Sequence, residues 1–325
     1  MTLIQSNYIV LFAYCKIVKG KDKNILCDLQ KGKIKYIPQA MITVITLLQS
    51  QPYLAVKEYF KAEETIFLSY VTFLLQEKFA FQSELAASHF PDLENSWSSP
   101  EIINNAIIEY SFTHYNLKSL FVQLDDLLTK FIELRLTVCR ENNLNELVDV
   151  LEYCSQSVCC SLQIMLPSCA PSYCSKIINT LDQFPIVNRI VFYSSEAKHT
   201  VNREKHTVYF IPESLEDITK ATIASTVLIN NIAYYHECQN HNPYYNKKVA
   251  ITAKGQIKNC IKNKKVFGSL SKQPLKQVVN SDEFQEFWYV TPDQIIDIQD
   301  SELRYNYLIT HDMKRRADGK YQLIV

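Results

Sequence analysis

A mixed α/β fold with a parallel sheet is predicted for this 325-residue chain, and three patterns predict it. From Ala106 onward, short runs rich in Ile, Val and Leu alternate with amphipathic stretches of helical period, the repeat that builds a parallel sheet with crossover helices. Residues 1–84 read as strands followed by helices. Beyond residue 232, a lysine-rich segment has the alternation of a hairpin turned at Lys254-Gly255.

In the first segment, Ile9 to Val18, Asn24 to Leu29 and Lys33 to Ile37 are strand-like and are separated by the turn-formers GKDKN and QKGK. Pro38 then permits a helix to start. Between Glu64 and Lys78, the residues Ile66, Phe67, Tyr70, Val71 and Leu74 fall on one helical stripe. The stretch around HFPDLENSWSSPEIIN, within residues 85–104, reads as a linker.

The middle segment opens with a strand ending at Tyr110. A helix follows whose apolar face is Leu117, Leu120, Phe121, Leu124, Leu127, Leu128 and Phe131, with Asp125 and Asp126 on its polar side. Next come a strand at Ile132 to Val138, a helix through Leu144, Leu147, Val148 and Leu151, and a strand at Val158 to Leu166. A helix carrying Ile177, Ile178 and Leu181 leads to strands at Ile186 to Tyr193, Thr207 to Ile211 and Thr226 to Asn230. The division expected is 1–84, a linker at 85–104, 105–232, and 233–325.

Composition excludes several functions. Lys+Arg and Asp+Glu balance at 34 each, so no global field recruits nucleic acid or an anionic membrane. No apolar run approaches the roughly 18–20 residues that span a bilayer, and the N-terminus has no basic segment of the signal-peptide kind, which predicts a cytoplasmic protein. Five glycines, none in G-x-G-x-x-G or G-x-x-x-x-G-K, leave no familiar phosphate loop. G-x-S-x-G and H-E-x-x-H are also absent, so no hydrolytic nucleophile or zinc-protease pair stands out.

Ten cysteines without an export signal argue for free thiols or metal ligands before disulfides. Six lie between Cys139 and Cys174. Cys154 and Cys174 sit on apolar helical stripes, where a thiol acts as a small hydrophobe, and Cys159 and Cys160 point to opposite faces of one strand. Cys238 and Cys260, with His236 and His241 beside the first, are the lesser candidate for a zinc or iron site. Seven lysines and no acid lie between Tyr245 and Lys265, and seven acids and no base lie between Ser281 and Leu303. Lys247, Lys248, Lys254 and Lys258 are the candidate basic surface for a partner, unless the two segments neutralise each other.

From Cys238 to Tyr307 the words HNPYYNKKVAI, GQIKNC with Gly255 five before Cys260, FG at Phe267-Gly268, and EFQEFWYVT stand in a fixed order. That order resembles the SPASM domain of the peptide maturases of "grasp-with-spasm" systems, radical SAM-related proteins paired with an ATP-grasp ligase. ICDLQ and KYIP near the start also recur in them. The resemblance implies a winged-helix-like leader-recognition domain, a partial radical-SAM-like (β/α) barrel and a SPASM domain. Where the family places a later C-x2-C-x5-C, this chain has Ile298, Ser301 and Tyr307. Its loop after the first barrel strand, Ser111 to Asn116, has His114 but no cysteine, and no C-x3-C-x2-C occurs anywhere. An iron–sulfur cluster needs about four thiolates.

The degenerate motifs therefore predict no radical SAM activity, no cofactor, with an iron–sulfur cluster or zinc as the lesser alternative, and a protein that binds rather than catalyses. The resemblance implies two partners, a ribosomal precursor peptide and an ATP-grasp ligase. It also implies a peptide site formed by strand addition along Lys33, Ile34, Lys35, Tyr36 and Ile37, with exposed members of Ile66, Phe67, Tyr70, Val71 and Leu74 as a groove. The alternative is a metal-dependent peptide-modifying enzyme using the remaining Cys and His ligands.

Overall fold

A computed structural model describes residues 7–94, 96–140, 143–221 and 227–324. The chain begins with β1 (Tyr8–Leu11), β2 (Cys15–Lys19), β3 (Asn24–Asp28) and β4 (Lys33–Ile37). Helices α1 (Gln39–Ser50), α2 (Tyr53–Tyr59) and α3 (Glu64–Gln76) and strand β5 (Ala80–Ser83) follow. The middle holds β6 (Asn105–Tyr110), α4 (Leu117–Asp126), β7 (Phe131–Leu136), α5 (Leu144–Cys154), β8 (Ser161–Pro167) and α6 (Pro171–Leu181). It continues through β9 (Val187–Tyr193), β10 (His199–Asn202), β11 (Thr207–Phe210) and α7 (Leu215–Lys220). The last part contains α8 (Ile232–Asn240), β12 (Lys248–Ile251), β13 (Gln256–Lys258), β14 (Gly268–Ser269), α9 (Leu275–Val279), α10 (Asp282–Gln285), β15 (Asp312–Arg315) and β16 (Tyr321–Ile324).

These elements form two compact units that interleave in sequence. The first takes Met1–Trp97, Ile223–Pro243 and Val290–Val325, and the second takes Ser98–Thr222 and Tyr244–Tyr289. No helix among the described residues is long and apolar enough to cross a membrane.

The first unit is organised around the antiparallel sheet β2-β3-β4. Its central strand β3 is apolar on both faces, with Ile25, Leu26 and Cys27 no more than 1% exposed. Alternation sends Leu26, with Cys15 and Ile37, into a cluster with Met41, Ile45, Leu48, Val56, Phe67, Val71 and Leu74 of the three helices. Ile25 and Cys27, with Val18 and Leu29, enter a second cluster containing Tyr234 and Cys238 of α8 and Leu303 and Tyr305. Asp28 at the end of β3 is also buried. Its carboxylate accepts from the backbone N–H groups of Gln30 and Lys31 at 3.0 and 2.8 Å and from Lys31 Nζ at 3.1 Å.

The second unit is built on a nine-stranded sheet ordered β10-β11-β9-β8-β7-β6-β12-β13-β14. Every pairing from β11 to β12 is parallel. The large, parallel-rich α/β sheet is the class that the βα repeats predict, and it is open, with β10 and β14 at its edges among the described residues. Ala106, Ile108, Ile132, Leu134, Leu162, Ile164, Ile190 and Phe192 alternate along its strands and are all buried, as are the apolar stripes of α4, α5 and α6. Beyond β12 the hairpin turns where the sequence puts it: Gly255 has φ +75° and its N–H donates to Thr252 O at 2.8 Å.

Several boundaries differ from expectation. The Ile9 to Val18 run is two strands, because the chain turns at Phe12, whose carbonyl accepts from Cys15 N at 2.8 Å, and β1 pairs instead with β5. Phe131 opens β7 rather than closing a helix, since Leu128 adopts φ +59° and turns the chain out of α4. The strand expected at Val158 begins at Ser161, after hydrogen-bonded turns through Ser155 to Ser157. Of the strand expected at Thr226 to Asn230, Thr226 lies outside the described residues and Leu228 makes a single antiparallel bridge to Tyr307.

Gly20 sits where the turn after β2 meets Glu302. A Cβ there would lie 2.6 Å from Glu302 N and 2.7 Å from Lys23 O, both backbone atoms that cannot swing aside. Gly20→Ala is expected to destabilise the first unit by about 1–3 kcal/mol, read as a lower urea midpoint.

Candidate functional site

Three places carry the residues that the sequence singles out. The first is the edge of the small sheet. β4 pairs with β3 from Lys33 opposite Asp28 to Ile37 opposite Asn24, and among the described residues its other edge pairs with no strand. Lys33 is ion-paired to Glu77 of the turn after α3, and Lys35 Nζ lies 3.8 Å from the same carboxylate. Ile34 is half-buried, Tyr36 is exposed with Lys23 Nζ 5.3 Å from its ring centroid, and Ile37 is in the core. Asp22, Lys23, Asn24 and Tyr36 to Gln39 line a shallow depression of about 440 Å³ at the end of this edge.

The helical part of the expected peptide groove is corrected. Phe67, Val71 and Leu74 are each 1% exposed and pack into the unit's own core, so they offer no free face. Tyr70 is half-buried and packs against that core, and Ile66 is the exposed member of the stripe. One helical period carries both a core face and its flank, and sequence alone does not divide them.

The second place is the segment of the two thiols. Cys238 lies on α8 in the first unit, in the apolar cluster of Val18, Ile25, Leu29, Leu303 and Tyr305, where burial raises its thiol well above the ordinary value. Its Sγ is 3.9 Å from Tyr305 O. Cys260 belongs to the second unit, and its Sγ lies 3.2 Å from Tyr244 Oη. His236 is buried, and burial lowers its pKa, with Lys16 adding to the effect; the His241 ring meets Trp97 at a tilt of 55°, with ring centroids 5.1 Å apart. Ile298, Ser301 and Tyr307 contribute no thiol. Among the described residues, no three His, Cys, Asp or Glu side chains gather as a metal site. These donors do not fit a four-thiolate cluster.

The lysines of the hairpin are mostly spent internally. Lys247 has φ +51° and its Nζ donates to Ser99 O and Glu101 O at 2.6 Å each. Lys248 Nζ lies 3.8 Å from the Tyr244 ring centroid, and burial lowers its pKa. Lys258 Nζ donates to Asn263 O at 2.7 Å, whereas Lys254, at the turn, is exposed. The four-lysine partner surface is corrected accordingly: Lys254 is its exposed member. Between the basic and acidic segments, Lys265 pairs with Glu283 at 3.2 Å.

The third place was not singled out by sequence. On the face of the parallel sheet opposite the buried alternation, Glu133 and Arg135 of β7, Gln163 of β8 and Arg189 of β9 are linked in one network. Arg135 Nε donates to Glu133 Oε1, and its Nη1 donates to Thr219 Oγ1 of α7 at 2.8 Å. Gln163 Nε2 donates to Glu133 Oε2 at 3.0 Å and accepts from Arg189 Nη1 at 3.3 Å. Glu109, on β6 beside Arg135, has its carboxyl raised, because burial outweighs the Arg135 charge. The signal was available in the strands, where polar residues recur at alternate positions of β7, β8 and β9; toward the strand ends the same face turns apolar, with Met165, Val191 and Tyr193 buried against Leu215 and Ile218 of α7. The loop after β6 lies at one end of this sheet. Phe112 there has φ +64°, His114 is exposed, Tyr115 Oη donates to Glu109 O at 2.5 Å, and Asn116 caps α4 by accepting from Ser119 N at 2.8 Å.

Comparison with known proteins bears on the thiol segment. Residues 238–305 match the model of the SPASM family, an iron-sulfur cluster-binding domain. This corrects the expectation that the chain takes no cofactor, since the matched domain type is one that binds a cluster. Comparison with curated proteins gives no match. Among solved structures, the chain is similar to Streptococcus suis SuiB bound to S-adenosylmethionine, at 12% identity over 86% of this chain and 89% of that one, with a TM-score of 0.27. The same protein bound to precursor peptide SuiA gives 10% identity over 86% and 90%, with a TM-score of 0.26. Scores this low assign no shared fold.

Two outcomes follow from these environments. Cys238→Ser, which places a hydroxyl in an apolar cluster, is expected to cost about 1–3 kcal/mol, with Cys238→Ala costing less, read by urea unfolding. Glu109 has a folded pKa above its unfolded value of about 4.3, so the stability it contributes is present below that value and lost as pH rises through the raised folded value. Glu109→Gln is expected to flatten this part of the stability-pH curve, measured by unfolding across the acid range.

Proposed function

We propose that this chain serves ribosomal peptide maturation by binding a precursor peptide and presenting it to an ATP-grasp ligase, without radical SAM chemistry. The observation that carries the reading is the open edge of β4 in a sheet whose opposite side packs against α8 and residues 303–305, the two ends of the SPASM match. An extended peptide added to such an edge gains main-chain hydrogen bonds, while alternate side chains meet Tyr36 and the depression beside it. The charge at this edge is mixed, with Lys33 and Lys35 against Glu77, so register rather than net charge would select the peptide.

On this reading, residues 1–84 are the leader-recognition domain, 85–104 a linker, 105–232 a partial barrel and 233–325 the SPASM-like domain, in a cytoplasmic protein. The three antiparallel strands with α1 to α3 support the first assignment. The lack of any thiol between Ser111 and Asn116 supports the exclusion of radical SAM chemistry, whose cluster needs thiolates on that loop. The ATP-grasp partner rests on the family resemblance of the sequence words.

Successive N–H groups along a strand point alternately to its two neighbours. One of Lys35→Pro and Tyr36→Pro therefore removes a bond to β3 and weakens the fold, and the other removes an outward donor and leaves the fold intact. The fold-intact variant, identified by its unchanged thermal unfolding, is expected to lose binding to the precursor peptide encoded beside the gene. Undiminished binding by that variant would overturn strand addition.

A further inference from the structure

The carboxyl ends of β8 and β9 border a cavity of about 820 Å³ in the second unit. Such ends are where open α/β sheets place ligands. Its wall includes Cys169, in the loop after β8, and Cys174, in the first turn of α6. Their sulfur atoms lie 3.2 Å apart, and Cys174 Sγ also donates to Cys169 O at 3.4 Å. Both thiols are free. Cys169 is half-buried and reachable from the cavity, whereas Cys174 is 4% exposed. The loop that carries Cys169 is anchored by Ser168 N donating to Tyr193 O at 2.8 Å, and α6 begins at Pro171. The sulfur atoms are thus held together by elements fixed on both sides. His199, stacked on Phe210 at 4.1 Å, Glu196 and Arg203 complete a polar rim.

We propose that Cys169 and Cys174 form a thiol-modification site that closes to a disulfide by exchange with a low-molecular-weight organic disulfide admitted by this cavity. In the first step, the Cys169 thiolate attacks one sulfur of the small disulfide, forming a mixed disulfide and releasing one small thiolate. Cys174 then gives up its proton and attacks the Cys169 sulfur, forming the protein disulfide and releasing the second small thiolate. Two protein thiols are oxidised by two electrons, the small disulfide is reduced to two thiols, and the two protons end on the leaving groups. A sulfur–sulfur bond is about 2.05 Å long, so closure asks for a shift of about 1 Å. The bond would tie the loop after β8 to α6 and reshape the cavity wall.

Burial, followed by the neighbouring Cys174 thiol, pushes the Cys169 thiol up to about 12. The first step is therefore slow at neutral pH and accelerates as pH rises, whereas the second is intramolecular and fast. Cys139, after β7, interacts electrostatically with both Cys169 and Cys174 and is the rival partner.

The test incubates the intact chain with oxidised glutathione at mildly alkaline pH, blocks remaining thiols by alkylation, and maps cysteines by fragmentation mass spectrometry. Protection of Cys169 and Cys174 together, with a mass loss of two hydrogens and reversal by a dithiol reductant, is expected. In Cys174→Ser the mixed disulfide with glutathione should accumulate at Cys169. Alkylatable Cys169 and Cys174 after equilibration, or a Cys139–Cys169 bond in their place, would overturn the proposal.

Discussion

Burial of one short strand on both faces is the constraint on which the first unit depends. β3 presents Leu26 to the helices and Ile25 and Cys27 to α8 and the segment near Tyr305. Neither face is wet, so the strand needs cover from parts of the chain some two hundred residues away in sequence. Asn230 ties this joint, donating through Nδ2 to Asp28 O at 3.2 Å and Lys33 O at 3.0 Å, while its Oδ1 accepts from Asn306 Nδ2 at 3.2 Å. Cys238 is explained by the same constraint. A protonated thiol suits an apolar joint, and a thiolate does not.

The second unit divides its labour between the faces of its sheet. One face is apolar and buried, like the stripes of α4 to α6. The other carries carboxylates, guanidinium groups and amides that satisfy one another, and gives way toward the strand ends to the apolar cluster of Met165, Val191 and Tyr193 with α7. Arg135 is buried and its charge is costly to leave alone, so the half-buried Glu133 and Gln163 that meet it form a mutually supporting network, which the exposed Arg189 extends.

Much of this was legible in sequence where pattern decides structure. The βα repeats from Ala106, the hairpin turn at Lys254-Gly255 and the order of words from Cys238 onward all carried through, the last confirmed by the SPASM match at 238–305. What stayed hidden depends on which partner covers a residue. Phe67, Val71 and Leu74 share a period with Ile66, yet only packing shows which are core. The lysines of the hairpin have the look of a basic patch, but Lys247 and Lys258 bond to carbonyls that no spacing rule points to. The absence of a cofactor was inferred from missing thiols, and the family match corrected that inference because the remainder of the domain's pattern persisted.

The interleaved order of the units bears on how the chain emerges from the ribosome. β2, β3 and β4 are complete once about the first forty residues have been made, but the cover for Ile25 and Cys27 arrives only with residues 234 to 305. During the intervening synthesis, one face of a three-stranded apolar sheet stands open together with the edge of β4, which no strand among the described residues pairs. Synthesis at about 5–20 residues per second makes that interval many seconds long. Through that interval the nascent chain exposes apolar surface of the kind that makes unfinished chains prone to aggregate.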